Sequence, residues 1–379
     1  MNSLKKAILT NVESEMTKLI ELSEWLHANP EVAWQEFESA AKCSEFLRDR
    51  GFEVEEKFVG LDTAFHARIG SGKRRLAFVA EYDALPGIGH ACGHNLIATM
   101  ALGAAVSIAP MAEELDLTVE VFGTPAEEGY GGKIEMLDRG AFDGVDFAMM
   151  AHPAPVDIVR AEPFAVAHWE ITYRGHAAHA ASYPTQGVNA ADAFNIAEVA
   201  IAHLRQQLPH SVRVHGIVTH GGDVPNAIPH LTKGRWYVRA SSMEELEETQ
   251  AKVKRCFEAG ALATGCQVEI REESQPYSDF DTDEQGLKFY EKNALALGRD
   301  LRTTGPETQM CRASTDMANV SKVVRAIHPY IGVNSFPVLN HQAEFADACV
   351  GVTANQTLKD GATSLAWTAV DVANEWLAG

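Results

Sequence analysis

Short apolar runs that stop abruptly in polar, Gly- and Pro-containing loops constrain this chain more than any other feature. Residues 76–80, 117–123 and 146–151 have strand length and are apolar nearly throughout, the pattern of strands buried on both faces. Ala- and Leu-rich stretches of helical length, such as residues 98–108, separate them. Strand–helix alternation of this kind predicts an α/β fold: a mostly parallel, mixed sheet with helices on both faces. Val12, Met16, Leu19 and Leu26 recur at helical spacing ahead of Pro30, and a second helix is expected from Glu36 to Arg50, stopped by Gly51.

The pattern changes near Phe164. Strand 169–173, helix 188–208, strands 211–219 and 231–240, helix 243–264 and strand 267–272 follow in the β-α-β-β-α-β order of a ferredoxin-like module. After Asp283 the α/β pattern resumes, with residues 326–333 as a further strand and a helix over 355–377. The expected organisation is a discontinuous α/β domain, residues 1–163 and 284–379, carrying an inserted α+β domain over 164–283.

A net charge of −20 over 379 residues argues against nucleic acid or an anionic membrane as partner, while a local cationic site could still take an anionic small molecule. Residues 1–19 show no continuous apolar core of a signal peptide, and no apolar run is expected to approach a membrane span. Cys43, Cys92, Cys256, Cys266, Cys311 and Cys349 are too scattered for a disulfide framework. A cytoplasmic enzyme is the class these features imply.

Ligands of open α/β sheets bind outside the carboxyl ends of the strands. The loop after residues 76–80 carries Asp83 and continues to Cys92-Gly93-His94. The loop after 117–123 carries Glu127-Glu128; His152 closes the run 146–151, and His341 follows 326–333. Singly, each has an ordinary explanation: a small buried thiol, a solvated acidic loop, a turn before proline. Together they deliver thiolate, imidazole and carboxylate to one crevice, the ligand set of a borderline-soft divalent metal. Adjacent glutamates also permit a division of labour, one binding metal and its neighbour acting as general base towards the activated water.

The segments Glu81-Tyr82-Asp83-Ala84-Leu85-Pro86, His90-Ala91-Cys92-Gly93-His94-Asn95, Pro125-Ala126-Glu127-Glu128-Gly129, His152 and, near the N-terminus, His27-Ala28-Asn29-Pro30-Glu31 resemble the co-catalytic metallopeptidase family of aminoacylases, acetylornithine deacetylases and carboxypeptidase G. The Cys-Gly-His form is similar to its amidohydrolase subfamily of auxin-conjugate, hippurate and aminobenzoyl-glutamate hydrolases and aminoacylase-like dipeptidases. The resemblance implies two divalent ions per subunit, zinc or manganese. Cys92 would bridge them, His94, Glu128, His152 and His341 would complete the ligands, and Glu127 would be the general base. Where the wider family has a metal-binding His two residues before the loop Asp, this chain has Glu81; His94 would replace that ligand and leave Asp83 to orient it. In the inserted domain, His179 within Arg174-Gly175-His176-Ala177-Ala178-His179 matches the residue that polarises the scissile carbonyl, and Asn226 and Arg239 match positions that hold the substrate backbone and its carboxylate. The same resemblance implies a homodimer formed through the inserted domain, with His179 acting in the partner's cleft.

The function expected on these grounds is metal-dependent hydrolysis of the amide of an N-acyl amino acid or small dipeptide-like substrate. The alternatives are hydrolytic removal of an amine from an aromatic or other unusual substrate at the same site, and a non-catalytic metal- or ligand-binding protein, which would have no use for Glu127.

Overall fold

A computed structural model describes residues 3–378. Its strands are β1 (Glu53–Glu56), β2 (Phe65–Ile69), β3 (Arg74–Glu81), β4 (Leu117–Thr124), β5 (Phe147–Met149), β6 (His152–Ala154), β7 (Ala165–Arg174), β8 (Arg213–His220), β9 (Leu231–Ala240), β10 (Gln267–Glu272), β11 (Arg325–Ile327) and β12 (Tyr330–Gly332). Its α-helices are α1 (Ser3–Ala28), α2 (Phe37–Arg48), α3 (His94–Ile108), α4 (Gly132–Asp138), α5 (Ala190–Leu204), α6 (Met243–Thr264), α7 (Glu284–Ala296), α8 (Met317–Ser321), α9 (Ala343–Ala348) and α10 (Val352–Ala378). The chain separates into two compact units: one runs to Glu162 and resumes at Phe280, the other is Pro163–Asp279.

The first unit is built on a six-stranded mixed sheet in the order β1-β2-β4-β3-β5-β11. The β4/β3, β3/β5 and β5/β11 pairs are parallel, and β1/β2 and β2/β4 antiparallel. Alternation along β3 shows why its sequence is apolar throughout. Leu76, Phe78 and Ala80 join a core formed with α1, α3 and α10, whereas Ala77 and Val79 enter a second core with Phe122, Phe142 and Met317. Both faces are dry, so both sets of side chains must be apolar.

Two expectations are corrected here. Residues 326–333 are not one strand but two, β11 and β12, in different sheets; Pro329 lies between them and has no N–H to continue a ladder. The chain leaves the large sheet there, and β12 pairs in parallel with β6, His152 itself lying opposite Tyr330. Second, the segment His94–Met111 is long and apolar enough to cross a membrane by length and composition. In this fold all of α3 is buried, packed between β3 and the helices α1 and α10.

The second unit is a four-stranded antiparallel sheet in the order β10-β7-β9-β8, covered on one face by α5 and α6. Ala165, Ala167, Trp169, Ile171 and Tyr173 of β7 point into its core, and intervening His168 and Glu170 occupy the opposite, more polar face with Arg235, Tyr237 and Arg239 of β9. This is the ferredoxin-like arrangement expected from the element order.

Candidate metal centre

Four strand ends of the first unit converge. The end of β3 supplies Glu81 and then Asp83, the loop into α3 supplies Cys92, and His94 is the first residue of that helix. The loop after β4 supplies Glu127 and Glu128, β6 begins with His152, and the loop after β12 supplies His341. Gly93 makes the convergence possible. It has φ +79°, and a Cβ there would stand 2.7 Å from the Pro153 ring, so only glycine lets the Cys92–His94 corner press against the strand bearing His152. The His341 N–H donates to the Ala91 carbonyl at 2.8 Å, tying the last loop to the same corner.

Cys92 Sγ lies 3.6 Å from His152 Nε2 and 3.5 Å from His341 Nε2. One thiol hydrogen cannot serve both imidazoles. Two ligands held at about 2.3 Å (sulfur) and 2.0 Å (nitrogen) around one tetrahedral ion would be about 3.5 Å apart. Cys92, His94 and His152 have ligand atoms within 4.8 Å of one another, and so do Cys92, Glu128 and His341. These two triads share only the thiol, and a third, Glu81, His94 and Glu127, meets the first at His94. His94 Nε2 and Glu128 Oε1, 3.7 Å apart, are buried without a hydrogen-bond partner among the described residues. Orphaned polar atoms are costly in a protein interior, and a divalent ion between the triads would satisfy both. The residues present therefore fit a divalent metal centre.

The groups behind the ligands fix their states. His94 Nδ1 is bonded to Asp83 Oδ1 at 3.0 Å, so Nε2 faces the centre. Burial opposes a charge on this ring, but Asp83, then Glu81 and Glu128, outweigh it and hold His94 up at about 10 in the absence of a cation. His152 donates Nδ1–H to the Pro153 carbonyl at 2.8 Å, leaving the Nε2 lone pair towards Cys92. Burial, reinforced by His328 and His94, keeps that ring neutral. The Cys92 thiol is pushed up by burial and by Glu128 and Glu127, so a cation must displace its proton. Burial, then Glu81 and Glu128, raises Glu127 well above an ordinary carboxyl in the absence of a cation.

Asp83 orients His94 as expected and also accepts the Glu128 N–H on its second oxygen at 3.0 Å. Glu81 has a partner the sequence did not reveal. Its Oε1 lies 2.5 Å from Lys133 Nζ, and Asp316 Oδ1 takes the same ammonium at 2.6 Å; all three side chains are fully buried. Lys133 stays charged despite burial because Asp316 and Glu81 face it. Glu81 Oε2 is 3.6 Å from His94 Nε2, so Glu81 borders the centre as one arm of an ion-paired cluster. A lysine in the first turn of α4 opposes the helix dipole, the only local hint that it needed anionic partners. His328, whose ring is 5.6 Å from that of His152, was also missed; neither of its nitrogens has a hydrogen-bond partner among the described residues.

The remaining candidates lie in the second unit. His179 is exposed, and its Nδ1 accepts the N–H groups of Ser182 at 3.1 Å and Ala181 at 3.3 Å, which places the ring proton on Nε2. The Asn226 carbonyl accepts the Ala180 N–H at 2.9 Å, so Asn226 and His179 occupy paired segments. Arg239 is half-buried on the open face of the sheet and donates Nε–H to His215 Nε2 at 3.4 Å.

The profile of Peptidase family M20/M25/M40 matches residues 77–358. A mouse Xaa-Arg dipeptidase is 37% identical over 384 residues, covering 97% of this chain and 89% of its own. One of the p-aminobenzoyl-glutamate hydrolase polypeptides of Escherichia coli is 31% identical, covering 72% of this chain and 61% of its own. Among solved structures, the aminobenzoyl-glutamate utilization protein of Klebsiella pneumoniae superposes with a TM-score of 0.74 at 19% identity, over 95% of this chain and 97% of that one. A dinuclear metal binding peptidase of Bacillus subtilis does so at 0.68 and 23%, over 96% and 99%.

Proposed function

Because the chain belongs to the peptidase family M20/M25/M40 and is a metal-dependent hydrolase of amide bonds, we propose that it cleaves dipeptide-like substrates with a basic C-terminal residue, using two zinc or manganese ions per subunit. The observation that carries the proposal is the pair of triads sharing Cys92, with Glu127 set beside the ligand Glu128. The substrate class rests on the mouse dipeptidase, similar over nearly the whole chain, and on a net charge of −20 that favours approach of cationic substrates.

Cys92, His94, Glu128, His152 and His341 would hold the ions. Bound there, divalent metal supplies polarisation of the scissile carbonyl and a water of lowered pKa. Glu127 would accept a proton from the attacking water on a carboxylate oxygen and return it to the nitrogen of the leaving amine. Asp83 keeps the His94 ring turned so that Nε2 faces the centre. His179 donates Nε2–H to the carbonyl oxygen as negative charge grows there, and Arg239 with Asn226 holds the substrate carboxylate and backbone. His179 acts from the second subunit of a homodimer paired through the inserted domain. A reducing, cytoplasmic setting suits six cysteines that are all free thiols.

Purified enzyme loaded with zinc or manganese should be assayed on dipeptides ending in Arg or Lys, N-acyl amino acids, and aryl-amide conjugates. The highest kcat/KM is expected for the basic dipeptides. Preference for an acidic or aromatic conjugate would overturn the substrate class, and release of an amine from a substrate without an acyl-amino-acid amide would favour the alternative chemistry.

A further inference from the structure

Glu36 occupies the position immediately before α2, where Ser, Thr, Asp or Asn usually caps a helix. Its side chain makes no cap bond. Glu31 does that work, accepting the N–H groups of Glu38 and Ser39 at 3.1 and 2.7 Å. Glu36 is fully buried nonetheless, and its Oε1 accepts the N–H of Ala126, ninety residues on, at 2.8 Å. Ala126 is a left-handed residue with φ +58°, a conformation that a Cβ makes unfavourable. The next residue is Glu127. Beyond it, the N–H of Glu128 is held by Asp83 Oδ2 at 3.0 Å. Two buried carboxylates, from the N-terminal segment and from the end of β3, thus anchor the backbone on either side of Glu127.

We propose that Glu36 is a positioning residue which, together with Asp83, clamps the backbone around Glu127 and aims that carboxylate at the proton it transfers. The inference rests on Glu127 being the general base. The clamp depends on reach rather than charge. Aspartate at position 36 keeps the charge but withdraws the acceptor by a methylene, whereas glutamine keeps an acceptor oxygen at the same distance. Burial, with Asp83 adding to it, already pushes the Glu36 carboxyl up to about 7, so a neutral side chain is tolerated there.

Glu36→Gln, Glu36→Asp, Glu127→Gln and the double variant Glu36→Asp/Glu127→Gln should be compared as metal-loaded enzyme for kcat, KM and bound metal. Glu36→Gln should stay within about threefold of the parent. Glu36→Asp should lose about tenfold or more in kcat, with KM and metal content unchanged, because small misplacements of a reacting group are costly. In the Glu127→Gln background Glu36→Asp should change nothing further, since the two act as one unit. A merely structural Glu36 would lower metal content or stability and leave kcat per loaded subunit alone; that result overturns the clamp. So does Glu36→Asp outperforming Glu36→Gln, or an additive double variant. If Glu127→Gln alone keeps parental kcat, it is the general-base assignment that has failed.

Discussion

Lys133→Met should expose how the buried charges beside the metal centre are balanced. Methionine nearly matches the length of lysine but removes the ammonium that sits 2.5 Å from Glu81 and 2.6 Å from Asp316, all with fully buried side chains. Removing one partner of a buried ion pair typically destabilises by about 3–5 kcal/mol. The stranded carboxylates can escape part of that by taking up a proton. Protonating a carboxyl of ordinary pKa near 4 costs about 1.4 kcal/mol for each pH unit above it. In the variant their folded-state pKa is therefore raised above the unfolded value. Stability from a raised pKa is present at low pH and lost as pH rises through the folded value. The defect should thus be largest near pH 8 and shrink by up to about 1.4 kcal/mol per pH unit, for each proton taken up, towards pH 6. Denaturant unfolding of metal-free parent and variant at pH 8 and pH 6, following the transition of the metal-binding unit, measures both the size and the slope. A defect below about 1 kcal/mol, or one that does not shrink on acidification, would refute the balance of charge described here.

Cys92→Ser should leave both ions weakly held after dialysis, because one thiol belongs to both triads; calorimetry of metal uptake should show one proton fewer released than in the parent, and retention of both metals would contradict the bridging assignment. Glu127→Gln should keep metal while kcat falls by about 10²–10⁴, whereas Glu128→Gln should loosen metal; exchanged phenotypes would mean exchanged roles. Inactive His179→Ala and Glu127→Gln subunits, mixed and shown to exchange, should regain activity through heterodimers with one intact composite site. No recovery would place His179 in its own subunit's site or outside the chemistry.

Much of this protein is determined by local chemistry and so is legible in its sequence. The two dry faces of β3 require an apolar run, and the element order of the second unit is written in alternating helical and strand periods. The convergence of Cys92, His94, Glu127, Glu128, His152 and His341 is legible too, because each sits just past a strand-like run. Only tertiary structure decided the rest. Residues 326–333 read as one strand, but whether β12 continues β11 or leaves to pair beside His152 depends on a neighbour distant in the chain. Glu81 reads as a lost metal ligand until Lys133 and Asp316 arrive beside it, the latter 183 residues from the lysine it binds. Glu36 reads as a helix start until Ala126 is seen to need its oxygen. Ionic and hydrogen-bonded partners carry no periodicity, so a residue whose role is to compensate a distant buried group leaves almost no trace in its own neighbourhood.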